Sequence, residues 1–138
     1  MRYTEAFAKL GYKVELPRQD YTAASERGVC ITVWRCELKT RKGLPSLDSR
    51  EDAGPIEEWG QLHGSRKRVD HFALAIQKFG GVVDVVIVEG VPGEGVKDAH
   101  PWMPAERKGS RWHVTYLDPL SGHFAVEARL GQVVGQLT

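Results

Sequence analysis

Apolar and polar residues alternate along this chain with two different periods, and the changes of period predict its elements. From Lys67 to Phe79 the apolar residues Val69, Phe72, Ala73, Ile76 and Phe79 recur at spacings of three and four. Arg68, Asp70, Gln77 and Lys78 fall largely opposite, so this stretch predicts the principal helix. Ser65 is its candidate N-cap and Gly80-Gly81 its stop. Val82 to Val88 is short, β-branched and apolar, and predicts a buried strand directly after the helix. Val29 to Leu38 predicts a second strand, apolar on both faces at its start and therefore central, wet from Arg35 onward.

Near the C-terminus, Ser110–Leu117 and His123–Leu130 alternate about Asp118-Pro119-Leu120-Ser121-Gly122, which predicts a β-hairpin. Trp112, Val114 and Tyr116 share one face, matched by Phe124, Val126 and Ala128. If the turn pairs Leu117 with His123, His113 stands opposite Glu127. Glu5–Leu10, capped by Thr4 and stopped by Gly11, predicts a small satellite helix, followed by an extended arm, Tyr12–Leu16. Gln132–Leu137 is a candidate last strand. Two stretches keep no period, 39–65 and 89–109, and are expected to be long loops. The first is expected to dock through Leu44, Leu47, Ile56, Trp59 and Leu62. The expected class is α+β: a mostly antiparallel mixed sheet, one principal helix packed on it and a C-terminal hairpin, in a single domain 1–138.

Composition narrows the functional classes. The chain has 138 residues, 41% hydrophobic and 27% charged, enough for one core and inconsistent with disorder throughout. Formal net charge is +1, so no global field steers it onto nucleic acid or lipid, and electrostatic function must come from local clustering. Arg2, Glu5, Lys9, Lys13, Glu15, Arg18 and Asp20 interrupt any secretory apolar segment, and Asp84 interrupts the longest apolar run. A cytoplasmic location and no membrane partner are expected. Cys30 and Cys36 lie about 20 Å apart if their strand is straight, too far for a disulfide, and are expected to be buried free thiols.

Several chemistries fail on spacing. Gly90-Val91-Pro92-Gly93-Glu94-Gly95-Val96-Lys97 lacks the Lys-Ser/Thr pair and the helix of a phosphate loop. The histidines His63, His71, His100, His113 and His123 form no local ligand cluster, and no cofactor or metal is expected. Asp84 and Glu89 flank the apolar strand, but an odd separation points them to opposite faces. Asp84 is expected to pair with an arginine, because an unpaired carboxylate there costs several kcal/mol. A metal-dependent phosphodiester hydrolase using Asp84, Glu89 and His71 or His113 is the second functional reading.

The first reading follows from basic clusters in the loops: Lys39, Arg41 and Lys42; Arg66, Lys67 and Arg68; Arg107, Lys108 and Arg111. Trp59 and Trp102 lie in the same connections. Cations contact phosphates and exposed aromatic rings stack on bases, so a non-catalytic module that binds nucleic acid or a nucleoprotein is expected. The third reading is a protein–protein adaptor anchored by the two tryptophans.

Overall fold

A computed structural model describes residues 1–17, 20–52, 63–91 and 94–130, with the backbone alone for 52 and 63–65. The elements in order are α1 (Tyr3–Lys9), β1 (Thr22–Ser25), β2 (Gly28–Trp34), β3 (Lys39–Arg41), β4 (Leu44–Asp48) and α2 (Ser49–Asp52). They are followed by α3 (His63–Lys78), β5 (Val82–Val91), β6 (Gly95–Pro101), β7 (Arg111–Leu117) and β8 (Phe124–Arg129). The strands form one eight-stranded sheet, ordered β1-β2-β5-β7-β8-β4-β3, with β6 also on β5. Among the described residues only β2 and β5 pair in parallel, and every other pairing is antiparallel.

β2 and β5 are central because their side chains are apolar on both faces. Val29, Ile31, Val33, Val83, Val85 and Ile87 point to one face, where α3 lays Phe72 and Ala75 against them. Trp102, Trp112, Phe124, Val126, Ala128 and Leu47 complete this core. Cys30, Val86 and Val88 point to the other face, beneath Ala6 and Phe7 of α1 and beneath Tyr12 and Val14 of the extended arm. The expected α+β architecture, with its main helix on the sheet and its C-terminal hairpin, is the observed one. Among the described residues no helix is long and apolar enough to cross a membrane.

Several boundaries differ from expectation. α3 starts at His63, so Ser65 lies within it, and it buries Val69, Phe72 and Ala75 while Ile76 stays 46% exposed. α1 starts at Tyr3, behind Arg2 rather than Thr4. The strand through Cys30 ends at Trp34 and continues as a 3-10 turn, Arg35–Glu37, so Cys30 is buried but Cys36 is exposed. The first expected loop opens as the hairpin β3–β4 and the short α2. Its turn has Lys42 and Gly43 at φ 52° and 80°, the doubly left-handed form that matches strand twist. Most of the second loop is the hairpin β5–β6, with only a short excursion between β6 and β7. Residues 53–62, including the Trp59 and Leu62 anchors, and the candidate strand Gln132–Leu137 lie outside the described residues.

β6 and β7 share the edge of β5 away from β2. β6 pairs with its C-terminal half, Val86–Val91, and β7 with Val82 and Val83. Trp102 N–H donates to Val85 O, and the chain then leaves the ladder before re-entering at Trp112. That excursion carries a 3-10 turn, Pro104–Glu106, and closes on Asp84.

Candidate nucleic-acid interface

The three basic clusters meet different fates. Arg66, Lys67 and Arg68 lie one turn inside α3 rather than at its start, and all three are spent on the body of the protein. Arg66 donates to Pro119 O at 3.0 Å. Lys67 bridges to Glu15 at 3.3 Å and to the fully buried Asp20 carboxylate at 2.9 Å, which raises the lysine pKa. Arg68 lies between the rings of Tyr21 and Phe124, at 5.1 and 4.4 Å. It is half-buried along its length, but its Nε is sealed from solvent, and burial lowers its pKa to about 10.

Trp102 is only 7% exposed, donates Nε1–H to Ser110 O and meets Trp112 edge-on at 5.5 Å. It is a core anchor, which leaves no open ring face for the base stacking or partner anchoring expected of it. Arg107 covers its ring at 4.4 Å, and Lys108 is an exposed turn residue at φ 56°. Lys42 is likewise exposed.

Lys39, Arg41 and Arg111 do come together on one surface, and strand register shows how. On the half of the sheet formed by β7, β8, β4 and β3, alternate residues point away from α3. Two cross-strand rows result: His113, Glu127, Ser46 and Lys39; then Tyr116, Ala125 and Asp48. Arg111 stands directly opposite Arg129 at the border. None of these outward residues belongs to either hydrophobic cluster, so among the described residues this half-face has no apolar cover. α1 and the arm cover only the other half.

Lys39, Arg41, Arg50, Arg111 and Arg129 thus rim one open face, together with the carboxylates Asp48, Glu51 and Glu127. Lys39 and Arg41 share Glu51 at 3.3 and 3.4 Å, and Arg129 reaches Glu127 at 2.8 Å. Exposed pairs of this kind are worth about 0–1 kcal/mol each and are readily exchanged for another anion. The directly opposed arginines are unfavourable for the sheet itself. Their field is felt by His113, whose pKa is lowered by burial and then by Arg129 and Arg111.

Between β3, β4, β8 and β7 the face sinks into a groove of about 190 Å³ floored by Ser46 and Ala125. Beside it Arg50 lies over the Tyr116 ring at 3.9 Å. Asp48 grips the same guanidinium through Nε at 2.9 Å and Nη2 at 2.6 Å, and that grip lowers the aspartate pKa. Tyr116 reaches this face because β7 shifts register between Val114 and Tyr116. The expected pairing holds for His113 and Glu127 but slips by one beyond the bulge, where Leu117 meets Phe124. Tyr116 therefore leaves the Trp112–Val114 face and Leu117 takes its place against the core. Arg50, Tyr116 and Arg129 are the residues that sequence reasoning missed.

The paired carboxylates separate as their spacing implied. Asp84 accepts from Tyr12 Oη at 2.6 Å and from Arg111 Nη2 at 3.3 Å. Glu89 meets Arg35 at 3.1 Å and His100 Nε2 at 2.9 Å. His71 bonds Thr22 at 2.7 Å, so the expected set of Asp84, Glu89 and His71 or His113 does not converge on one ion. A different trio does: Glu89, Asp98 and His100 bring donors within 4.8 Å of one another across the β5–β6 hairpin. The signal for it was Asp98-Ala99-His100, two ligand types on one strand face opposite Glu89. Those carboxylates already meet Arg35, His100 and the N-terminal ammonium, and all three side chains are at least 40% exposed. Their pKa values are lowered by these partners, His100 first for Glu89 and the terminal ammonium first for Asp98.

Comparison of the chain with protein-family models, with curated proteins and with solved structures returned no match. The functional reading therefore rests on the geometry of the open face.

Proposed function

We propose that this chain is a non-catalytic binding module that contacts nucleic acid, free or within a nucleoprotein, through the open face of β7, β8, β4 and β3. The observation that carries the reading is the direct opposition of Arg111 and Arg129 on a face without apolar cover among the described residues, with Lys39 and Arg41 further along it. Like charges placed opposite each other cost sheet stability, and phosphates bound one at each guanidinium offset that repulsion. Of the residues expected from the sequence, Lys39, Arg41 and Arg111 belong to this proposed surface, joined by Arg50 and Arg129.

Fluorescence anisotropy with labelled oligonucleotides across a salt series tests it. Four phosphate contacts give a log–log slope of about −3 on single strands and about −3.5 on duplex. Arg111→Ala with Arg129→Ala should flatten the slope by about 1.5 to 2. Absence of binding at low salt, or a slope that the double variant leaves unchanged, overturns the proposal.

A further inference from the structure

We infer that this face takes single-stranded nucleic acid, with one unpaired base stacked on the guanidinium plane of Arg50. The inference rests on the polyanion reading above and adds the form of nucleic acid to it. A guanidinium is a stacking surface only when its plane is held still, since a free arginine side chain loses much rotamer entropy on being fixed. Arg50 is already fixed on two sides. Asp48 holds its edge through Nε and Nη2, and the Tyr116 ring lies beneath it at 3.9 Å. Its own backbone N–H donates to Asp48 as well, at 2.9 Å, which locks the turn that presents it.

The remaining surface of Arg50 borders the groove, and the side chain stays 47% exposed. The groove's polar rim matches a nucleotide in kind. Lys39 and Arg41 offer phosphate contacts on the strand beyond, and Glu127 offers an acceptor for a base amino group on the floor side. The β7 bulge matters here because an unbroken strand would bury Tyr116 against α3 and leave Arg50 without its support.

The preference for single strands follows from geometry. Bases in a duplex are stacked on one another and present only their edges, so a flat cation set into a groove finds no free base face. An unpaired base offers one, and stacking on an aromatic or guanidinium plane tolerates any base.

The experiment compares a labelled 12-nucleotide single strand with the same sequence as duplex, using wild type, Arg50→Lys, Tyr116→Leu and the Arg111→Ala/Arg129→Ala double variant. Arg50→Lys keeps the charge and loses the plane. Wild type should bind the single strand about tenfold more tightly than the duplex at equal salt. Arg50→Lys and Tyr116→Leu should each weaken single-strand binding about tenfold and so erase that ratio. An oligonucleotide carrying 2-aminopurine should be quenched on binding wild type and not on binding Arg50→Lys. Equal affinity for the two forms, or a ratio and quench unmoved by Arg50→Lys, overturns the stacking inference and leaves the polyanion reading standing. Failure of both forms to bind at low salt removes the polyanion reading, and this inference with it. Both substitutions are at exposed positions, and unchanged thermal melts identify variants that fold.

Discussion

Replacing Asp84 by alanine should destabilise the protein by about 2 kcal/mol, and most of that loss should vanish when Tyr12 is already phenylalanine. Asp84 lies on the α1 side of β5, where the partner strand leaves the ladder, and its side chain is 18% exposed. Two groups hold it. The Arg111 bridge at 3.3 Å involves a half-exposed guanidinium and contributes at most about 1 kcal/mol. The Tyr12 hydroxyl at 2.6 Å is the larger contribution: a hydrogen bond to a charged acceptor is worth about 1.5–3 kcal/mol. Tyr12 is only 5% exposed, so without Asp84 its hydroxyl faces the cost of an unsatisfied buried donor, about 1–3 kcal/mol for the same event. Burial and Asp84 together raise the phenol pKa, which keeps the proton that makes the bond.

Urea titrations of the two single variants and the double variant measure this. For a chain of this length, 2 kcal/mol lowers Tm by roughly 6–8 °C. Tyr12→Phe alone should cost about 1–1.5 kcal/mol, and the double variant should be no less stable than Asp84→Ala. That non-additivity is the sign of a direct bond. Additive costs, or an Asp84→Ala variant as stable as wild type with an unchanged m-value, would refute the argument. The same substitution frees Arg111 at the border of the open face. On the proposed function, Asp84→Ala therefore binds polyanion more tightly at low salt, even though it folds less stably.

Trp112 is fully buried, and its Nε1 has no partner among the described residues, so Trp112→Ala should cost about 3–5 kcal/mol in urea titrations. Trp112→Phe should cost under about 1.5 kcal/mol, since it removes a sealed, unpartnered N–H along with some packing. His71 has a lowered folded pKa, through burial first and Lys67 second, so the unfolded chain takes up its proton first as pH falls. Stability should then be fully present above about pH 6.5 and decline as pH drops through the folded value. His71→Gln should flatten that limb of the urea-midpoint profile. Gly90 has φ 136°, and a Cβ there would lie 2.5 Å from Gly95 O, so Gly90→Ala should destabilise the β5–β6 hairpin by about 1–3 kcal/mol. Hydrogen exchange of the Val86–Val91 amides checks it.

The parts of the molecule that were legible in its sequence are those where burial forces a period. β2 and the first part of β5 are enclosed on both faces, so their apolar runs could be read directly, and α3 declared itself through Val69 and Phe72. β6 gave no such signal because it is an edge ribbon in which only Ala99 is buried, and its alternation is of charge rather than of hydrophobicity. β3 and β4 were hidden by a Lys-Gly turn where Asn-Gly would have announced a hairpin. The proposed binding face was illegible for a related reason. Arg111 and Arg129 become neighbours only through pairing across a turn, and Lys39 joins them only through β4, which contacts β8 from far back in the chain. Clustering along the sequence was therefore a poor guide to clustering in space. The tightest basic run, Arg66 to Arg68, lies on a helix face that needs cations for Asp20, Pro119 and two aromatic rings. One extra residue in β7 turns Tyr116 outward, and with it the ring that supports Arg50 on this face. A deletion of Thr115 should remove the bulge and leave Tyr116 opposite Ala125 and Leu117 opposite Phe124, so Tyr116 stays outward and the single-strand preference survives. If that deletion folds and loses the preference, the outward Tyr116 ring is not what sets it.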